Sequence, residues 1–227
     1  KSSFINIISK TIEKFYNKKI LLLSLDNYYL SKKQRLQLSQ QIHQLLITRG
    51  VPGTHDIEKL VKNIKQFNES KYPIVTPVFD KLIDDTSKST KITKTKCDFL
   101  FLEGWCCGSL EIPKKTLHKN INNLEKIKDP EYQWRNFYNN QLKFEYKKLF
   151  KLFDELIFLQ TSSFDNVFKW RLKQEKTNQS KNKKSKRMKP NEIKFFIQHY
   201  EKITKWMMKD LNKKAQIVIK FEKNHKI

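Results

Sequence analysis

The segment Cys97–Gly108, CDFLFLEGWCCG, restricts the possible folds more than any other stretch of the chain. Residues Asp98 to Leu102 run without alternating polar positions. Such a run suits a strand covered on both faces, as in a parallel sheet flanked by helices. The run stops at Glu103-Gly104, a carboxylate followed by a glycine, where a parallel strand would end and the chain would turn. In open α/β sheets that carboxyl edge is where ligands bind.

The rest of the chain alternates between helical and strand patterns, which predicts an α/β architecture. Phe4, Ile7, Ile8, Ile12 and Phe15 recur at helical spacing, and Ile20–Leu25 is a second apolar run. A helix is expected from Ser31, as its cap, to Thr48, with Leu36, Leu38, Ile42, Leu45 and Leu46 inward. Asp56 caps a further helix over Ile57–Phe67. Residues 70–90 read as extended or looping and Ser109–Glu131 as irregular. A long helix is expected from Trp134 to about Phe153, its aromatic stripe packing into the core. A strand at Leu156–Leu159, helices over Asp165–Glu175 and Asn191–Met208, and a strand at Ala215–Phe221 complete the alternation.

Scarce residues mark the candidate sites. The 4 glycines lie only in RGVPG and EGWCCG. Glycine serves positive φ and close backbone approach, so a chain that keeps it in two places needs it there. Arginine is sparse beside lysine: Arg35, Arg49, Arg135, Arg171 and Arg187. Its planar fork suits carboxylate or phosphate in a way lysine cannot copy. Asp26 ends the second apolar run, on the same sheet edge as Glu103 if the strands are parallel, where a carboxylate can accept a proton from an attacking hydroxyl. An Asx turn closing the strand would use the same residue. Arg49-Gly50-Val51-Pro52-Gly53-Thr54-His55-Asp56 carries more chemistry than a reversal of direction requires. Asp80 follows a possible strand, and Lys81 beside it can hold an anion.

The formal charge of +24 favours polyanions or phosphorylated small molecules. The lysines are spread along the whole chain and no nucleic-acid module accompanies them, so no specific nucleic-acid partner is expected. No apolar stretch is long enough to span a bilayer. Three cysteines, two of them adjacent, form no disulfide framework, which favours a reducing, cytoplasmic setting. Oligomeric state leaves no mark in the sequence.

Taken in order, SLDNYYL, RGVPGTHDIEKL, PVFDK, FLEGWCCG, WRLKQE and FIQHYEKITKWM resemble the D-glycerate 3-kinase family. These are P-loop kinases related to uridine kinase, phosphoribulokinase and bacterial pantothenate kinase. The resemblance runs from Lys1 nearly to the C-terminus. It implies a mostly parallel P-loop NTPase sheet flanked by helices, in a single domain over 1–227, with a basic lid-like segment around 171–190. It further implies ATP and Mg²⁺ as cofactors and phosphorylation of a small hydroxylated metabolite, D-glycerate first among them. A nucleoside, pantothenate or sugar phosphate stays open as acceptor. A non-catalytic basic protein that binds nucleic acid is the alternative from another class.

Position by position, the resemblance gives Lys1 the β- and γ-phosphates, Ser2 the magnesium ion and Ser3 a place near the phosphates. Asp26 becomes the base for the acceptor hydroxyl, and Glu103 positions the metal and its waters. Arg49, Thr54, His55, Asp56 and Asp80 shape the acceptor side. Arg49 or Arg135 pairs with an acceptor carboxylate, and Arg171 belongs to the lid. The sequence begins at the lysine of the resembled P-loop motif, with no glycine ahead of Gly50, so the expectation is a fragment without the first strand and the glycine-rich phosphate cradle. Its own activity is left open.

Overall fold

The computed structural model describes residues 1–181 and 188–221. Helix α1 spans Ser2–Tyr16 and leads into strand β1, Ile20–Ser24. A 3₁₀ turn, Leu25–Tyr28, follows, then α2 over Lys32–Gln41 and α3 over Ile57–Asn68. Strands β2 (Ile74–Asp80), β3 (Asp85–Thr93) and β4 (Phe99–Glu103) come next. Short helices α4 (Lys114–Leu117) and α5 (Asn123–Lys128) precede α6 (Gln133–Gln141). A π-helical turn, Leu142–Tyr146, joins α6 to α7, Lys147–Phe150. The chain ends with β5 (Ile157–Thr161), α8 (Phe164–Lys181), α9 (Pro190–Lys214) and β6 (Ile217–Phe221).

These elements form two compact units. One comprises Lys1–Cys107 with Phe144–Leu152, the other Gly108–Lys143 with Phe153–Ile227. In the first, β1 and β4 pair in parallel, with Ser24 opposite Glu103 at the carboxyl end. Leu21, Leu23, Leu25, Tyr28, Leu46, Leu60, Ile64 and Ile74 fill its core. Each such side chain contributes about 1.5–3 kcal/mol on full burial. In the second unit β5 and β6 pair in parallel. There the core comprises Ile112, Leu117, Leu124, Trp134, Tyr138 and Leu142, with Ile193, Ile203, Met207 and Leu211 from α9.

Several expectations are corrected. The parallel pairing is present, but among the described residues the strands form three two-stranded ladders and not one sheet. Among the described residues β4 pairs with β1 alone, and Phe99 at its start is 45% exposed while Leu100 to Glu103 are partly buried. The helix expected over Ser31–Thr48 stops at Gln41 and gives way to a 3₁₀ turn at Gln44–Ile47. His43 lies between them in extended conformation, its Nδ1 accepting from the Leu45 amide at 3.2 Å. Ser31 does cap α2: it accepts from the Gln34 amide, and the Gln34 side chain answers to the Ser31 amide. What α2 buries is Arg35, while Leu36 is 46% exposed. Residues 70–90 contain most of an antiparallel hairpin, β2 with β3. The stretch read as irregular holds α4 and α5, and the single long helix from Trp134 is interrupted by the π turn. Of the basic lid-like segment, residues 182–187, Arg187 included, lie outside the described residues.

Candidate active site

The carboxyl ends of β1 and β4 and the first turn of α1 meet at one carboxylate. Glu103 Oε1 accepts from the Ser2 hydroxyl at 2.9 Å and from the Ser24 hydroxyl at 2.8 Å. The parallel register puts Ser24 there, and Ser2 arrives because α1 begins over the strand ends. Gly104 then turns the chain where a side chain has no room: a Cβ would stand 2.7 Å from both Leu25 Cβ and Cys107 Sγ.

Asp26 sits one turn beyond β1. Its Oδ2 accepts from Lys81 Nζ at 2.5 Å and its Oδ1 from the Tyr29 hydroxyl at 3.2 Å. Lys81 is brought over by the hairpin, since the Phe79 amide donates to Asn27 Oδ1 at 3.3 Å. Burial pushes the Asp26 carboxyl up, but Lys81, assisted by Lys1 and His55, outweighs it and holds the group below its ordinary value. Burial drives the Cys107 thiol up to about 12; Lys1 opposes that shift, while Glu103 and Asp26 add to it. The Cys107 thiol thus feels the charges of Lys1, Asp26 and Glu103. A thiol so disfavoured as thiolate is no nucleophile at neutral pH.

The Arg49–Asp56 turn packs its His55 against Tyr29, the residue whose hydroxyl donates to Asp26. Tyr29 and His55 form an isolated antiparallel bridge, flanked by the Asp56 amide on the Tyr28 carbonyl and the Leu30 amide on the Thr54 carbonyl. Their rings stack with centroids 4.4 Å apart. His55 Nδ1 lies 2.5 Å from the Tyr146 hydroxyl, which also accepts from the Gly53 amide at 3.3 Å. Gly53 has φ 93°, a conformation that favours glycine. Burial lowers His55 to about 3, against the pull of Asp26, so its ring is neutral at physiological pH.

The remaining expected site residues divide by what they touch. Lys1 and Ser3 are exposed at the start of α1. Thr54 is fully buried; its hydroxyl accepts from the Gly50 amide and donates to the Val51 carbonyl, which serves the turn itself. Asp56 caps α3 through the Lys59 amide. Asp80 accepts from the Leu82 amide at 2.8 Å and shapes the hairpin tip. Arg49 pairs with Asp84 and lies over the Phe79 ring.

Arg135, expected as one of two candidates for an acceptor carboxylate, is engaged inside the protein. It is 0% exposed, in the second unit, and its guanidinium is taken up by Asp129, Asn120 and the carbonyls of Leu117 and Asp129. Arg171, also in the second unit, pairs with Glu175 at 2.6 Å. Arg35 likewise spends its fork on the carbonyls of Leu30, Ile47 and Asp84. Ser24 and Tyr146 escaped the sequence reading. Ser24 carried a signal, the last position of an apolar run aligned with another that ends in Glu103. Tyr146 carried none, being 91 residues from His55.

The donor set at Glu103 fits a magnesium ion. One hydroxyl and one carboxylate from protein, with waters and substrate oxygens for the rest, match the way this ion is held. No group of three or more His, Cys, Asp or Glu suited to a metal occurs among the described residues. No helix of the described residues is long and apolar enough to cross a membrane.

No protein-family model matches the chain. The Saccharomyces cerevisiae protein named "Probable ATP-dependent kinase TDA10" is 26% identical over 208 residues, 86% of this chain and 69% of that protein. The Schizosaccharomyces pombe protein named "Uncharacterized kinase mug58" is 24% identical over 199 residues, 81% of this chain and 68% of that one. Among solved structures, D-glycerate 3-kinase from Cryptococcus neoformans superposes with a TM-score of 0.84 at 22% identity, covering 100% of this chain and 84% of its own. In its motifs, its curated relatives and its fold, the chain resembles the D-glycerate 3-kinase family of kinases.

Proposed function

We propose that this chain is the core of an ATP-dependent kinase that phosphorylates a small hydroxylated acid, D-glycerate, to a phosphoglycerate. The observation that carries the reading is the Ser2–Glu103–Ser24 hydroxyl–carboxylate cluster, with Asp26 beside it at the carboxyl end of a parallel strand pair. Phosphoryl transfer needs little covalent help from protein; it needs alignment and positive charge around the transferred group.

Lys1 and the backbone amides at the start of α1 attract the phosphates of ATP, as helix N-termini do. Ser2 and Glu103 would hold magnesium, which would neutralise the charge on the phosphates during transfer. Asp26 orients the acceptor hydroxyl and takes its proton as the oxygen bonds to phosphorus and the bond to ADP breaks. Tyr29 steadies Asp26 through Oδ1. The Arg49–Asp56 turn bounds the acceptor side, and neutral His55 supports Tyr29 from behind by stacking.

The test is ADP release by the full gene product with ATP, magnesium and a panel of D-glycerate, pantothenate, uridine and ribulose 5-phosphate. Release with D-glycerate well above the others is expected, with phosphoglycerate as the product. Release driven by another member of the panel would move the acceptor assignment. Absence of release with every acceptor would overturn the kinase reading.

A further inference from the structure

We propose that Lys81 reads the acceptor's negative charge: it holds Asp26 while the cleft is empty and turns to the acceptor's carboxylate when the acceptor hydroxyl takes its place at Asp26. The proposal rests on the kinase reading above and adds a specificity-determining residue to it.

The cations of the first unit are not equivalent. Arg35 is 1% exposed and locked onto three backbone carbonyls. Arg49 is paired with Asp84, whose other oxygen is 3.0 Å from Arg35. Lys81 differs on two counts. Its side chain is 57% exposed, against 28% for Asp26, and it lies within hydrogen-bond reach of the base. A lysine ammonium is a point charge with rotatable donors on a flexible stem, so it can exchange one carboxylate for another without rebuilding its surroundings. A guanidinium fixed in a fork cannot.

The size of the acceptor makes the location decisive. In a three-carbon acid the carboxylate lies within a few bonds of the hydroxyl that meets Asp26. A cation that reads that carboxylate must therefore stand beside the base, as Lys81 does. The exchange also helps the chemistry. Asp26 is flanked by Lys81, Lys1, His55, Tyr29 and the thiols of Cys106 and Cys107. Lys81 supplies the largest of the attractions that keep Asp26 ionised. When Lys81 transfers its contact to the acceptor, Asp26 becomes a stronger proton acceptor as the acceptor hydroxyl arrives. An acceptor without the negative charge leaves the pair intact and meets a weaker base.

The experiment compares D-glycerate with glycerol, which has the same three-carbon skeleton without the carboxylate, in the full protein and in Lys81→Met. Methionine keeps the length of the stem and removes the charge. The expected result is a KM for D-glycerate raised about 10- to 100-fold, the usual range for losing a hydrogen bond to a charged group. The KM for glycerol should change less than threefold, and Lys81→Arg should recover part of the loss. Equal changes for the two acceptors, or an unchanged KM for D-glycerate, would overturn the proposal while leaving the kinase reading in place. Calorimetric titration with D-glycerate gives a readout that needs no turnover. Binding by the wild type that Lys81→Met weakens supports the proposal even if no phosphoryl transfer is seen. Equal binding by both, or none by the wild type, overturns it.

Discussion

Each unit of the molecule gathers acids and bases, and the two gatherings have opposite characters. In the second unit Glu125, Asp129, Arg135 and Lys202 are all at most 5% exposed. Arg135 Nε is 2.8 Å from Asp129, and Lys202 Nζ is 3.1 Å from Glu125. Two positive charges meet two negative ones, and carbonyls of Thr116, Leu117 and Lys119 take up further donors. Burial raises Glu125 and lowers Lys202, which is what desolvation does to a paired acid and base. In the first unit Ser2, Asp26, Lys81 and Glu103 keep part of their surface in solvent. A buried set with every charge matched organises a fold. A half-open set leaves side-chain atoms within reach of solvent and of solutes. Charge clustering alone does not separate the two; exposure does.

The contrast can be broken at its strongest point. Arg135→Ala should leave Asp129 and Glu125 buried without their partner and lower the unfolding free energy by about 3–5 kcal/mol. Urea unfolding measures this, and a loss below about 1 kcal/mol would show that the second cluster is not what holds its unit. Asp26→Asn should do the reverse. Turnover should fall by about 10²- to 10⁴-fold, while the urea midpoint shifts little because the position keeps its shape and its exposure. Unchanged turnover would remove Asp26 from the chemistry.

The most gradual effect concerns one histidine in each unit. Burial lowers His55 to about 3 and His199 to about 4, from an ordinary 6.5. The unfolded chain therefore binds protons at these sites over a range where the folded chain does not. Stability from both rings is complete above about pH 6.5 and declines as pH falls toward 4, by up to about 1.4 kcal/mol per pH unit for each ring. Unfolding free energies between pH 7 and 4 should show this slope. His199→Phe should remove about half of it, and a flat profile would mean that neither ring is held neutral.

The sequence disclosed the helices and parallel strands through spacing, and it placed Asp26, Glu103 and the Arg49–Asp56 turn in one candidate site. Local rules suffice where a run of apolar residues ends in a charged one. They failed where the deciding contact is remote. Arg135 reads like any scarce arginine until Asp129 and Asn120 are seen around it. The β2–β3 hairpin was half visible: β2 (IVTPVFD) reads as a possible strand ahead of Asp80, whereas β3 (DTSKSTKIT) is threonine-, serine- and lysine-rich, mostly exposed, and carries no apolar alternation. Asp80 and Thr54 were legible as polar residues in turns, but not as residues whose side chains close those turns on themselves. Lys81 stood beside Asp80 as a generic anion-binding residue, and only the fold shows which carboxylate it meets.

The hairpin tip from Lys81 to Asp84 is fastened at both ends to different parts of the first unit: Lys81 to Asp26, and Asp84 to Arg35 and Arg49. With Asp84 anchored, the root of Lys81 stays where it is, and its reach is the length of its own four-carbon stem. That tether acts as a ruler. On the proposal that Lys81 reads the acceptor's charge, that ruler would favour acids whose charged and reacting groups are a few bonds apart over longer acids of the same charge.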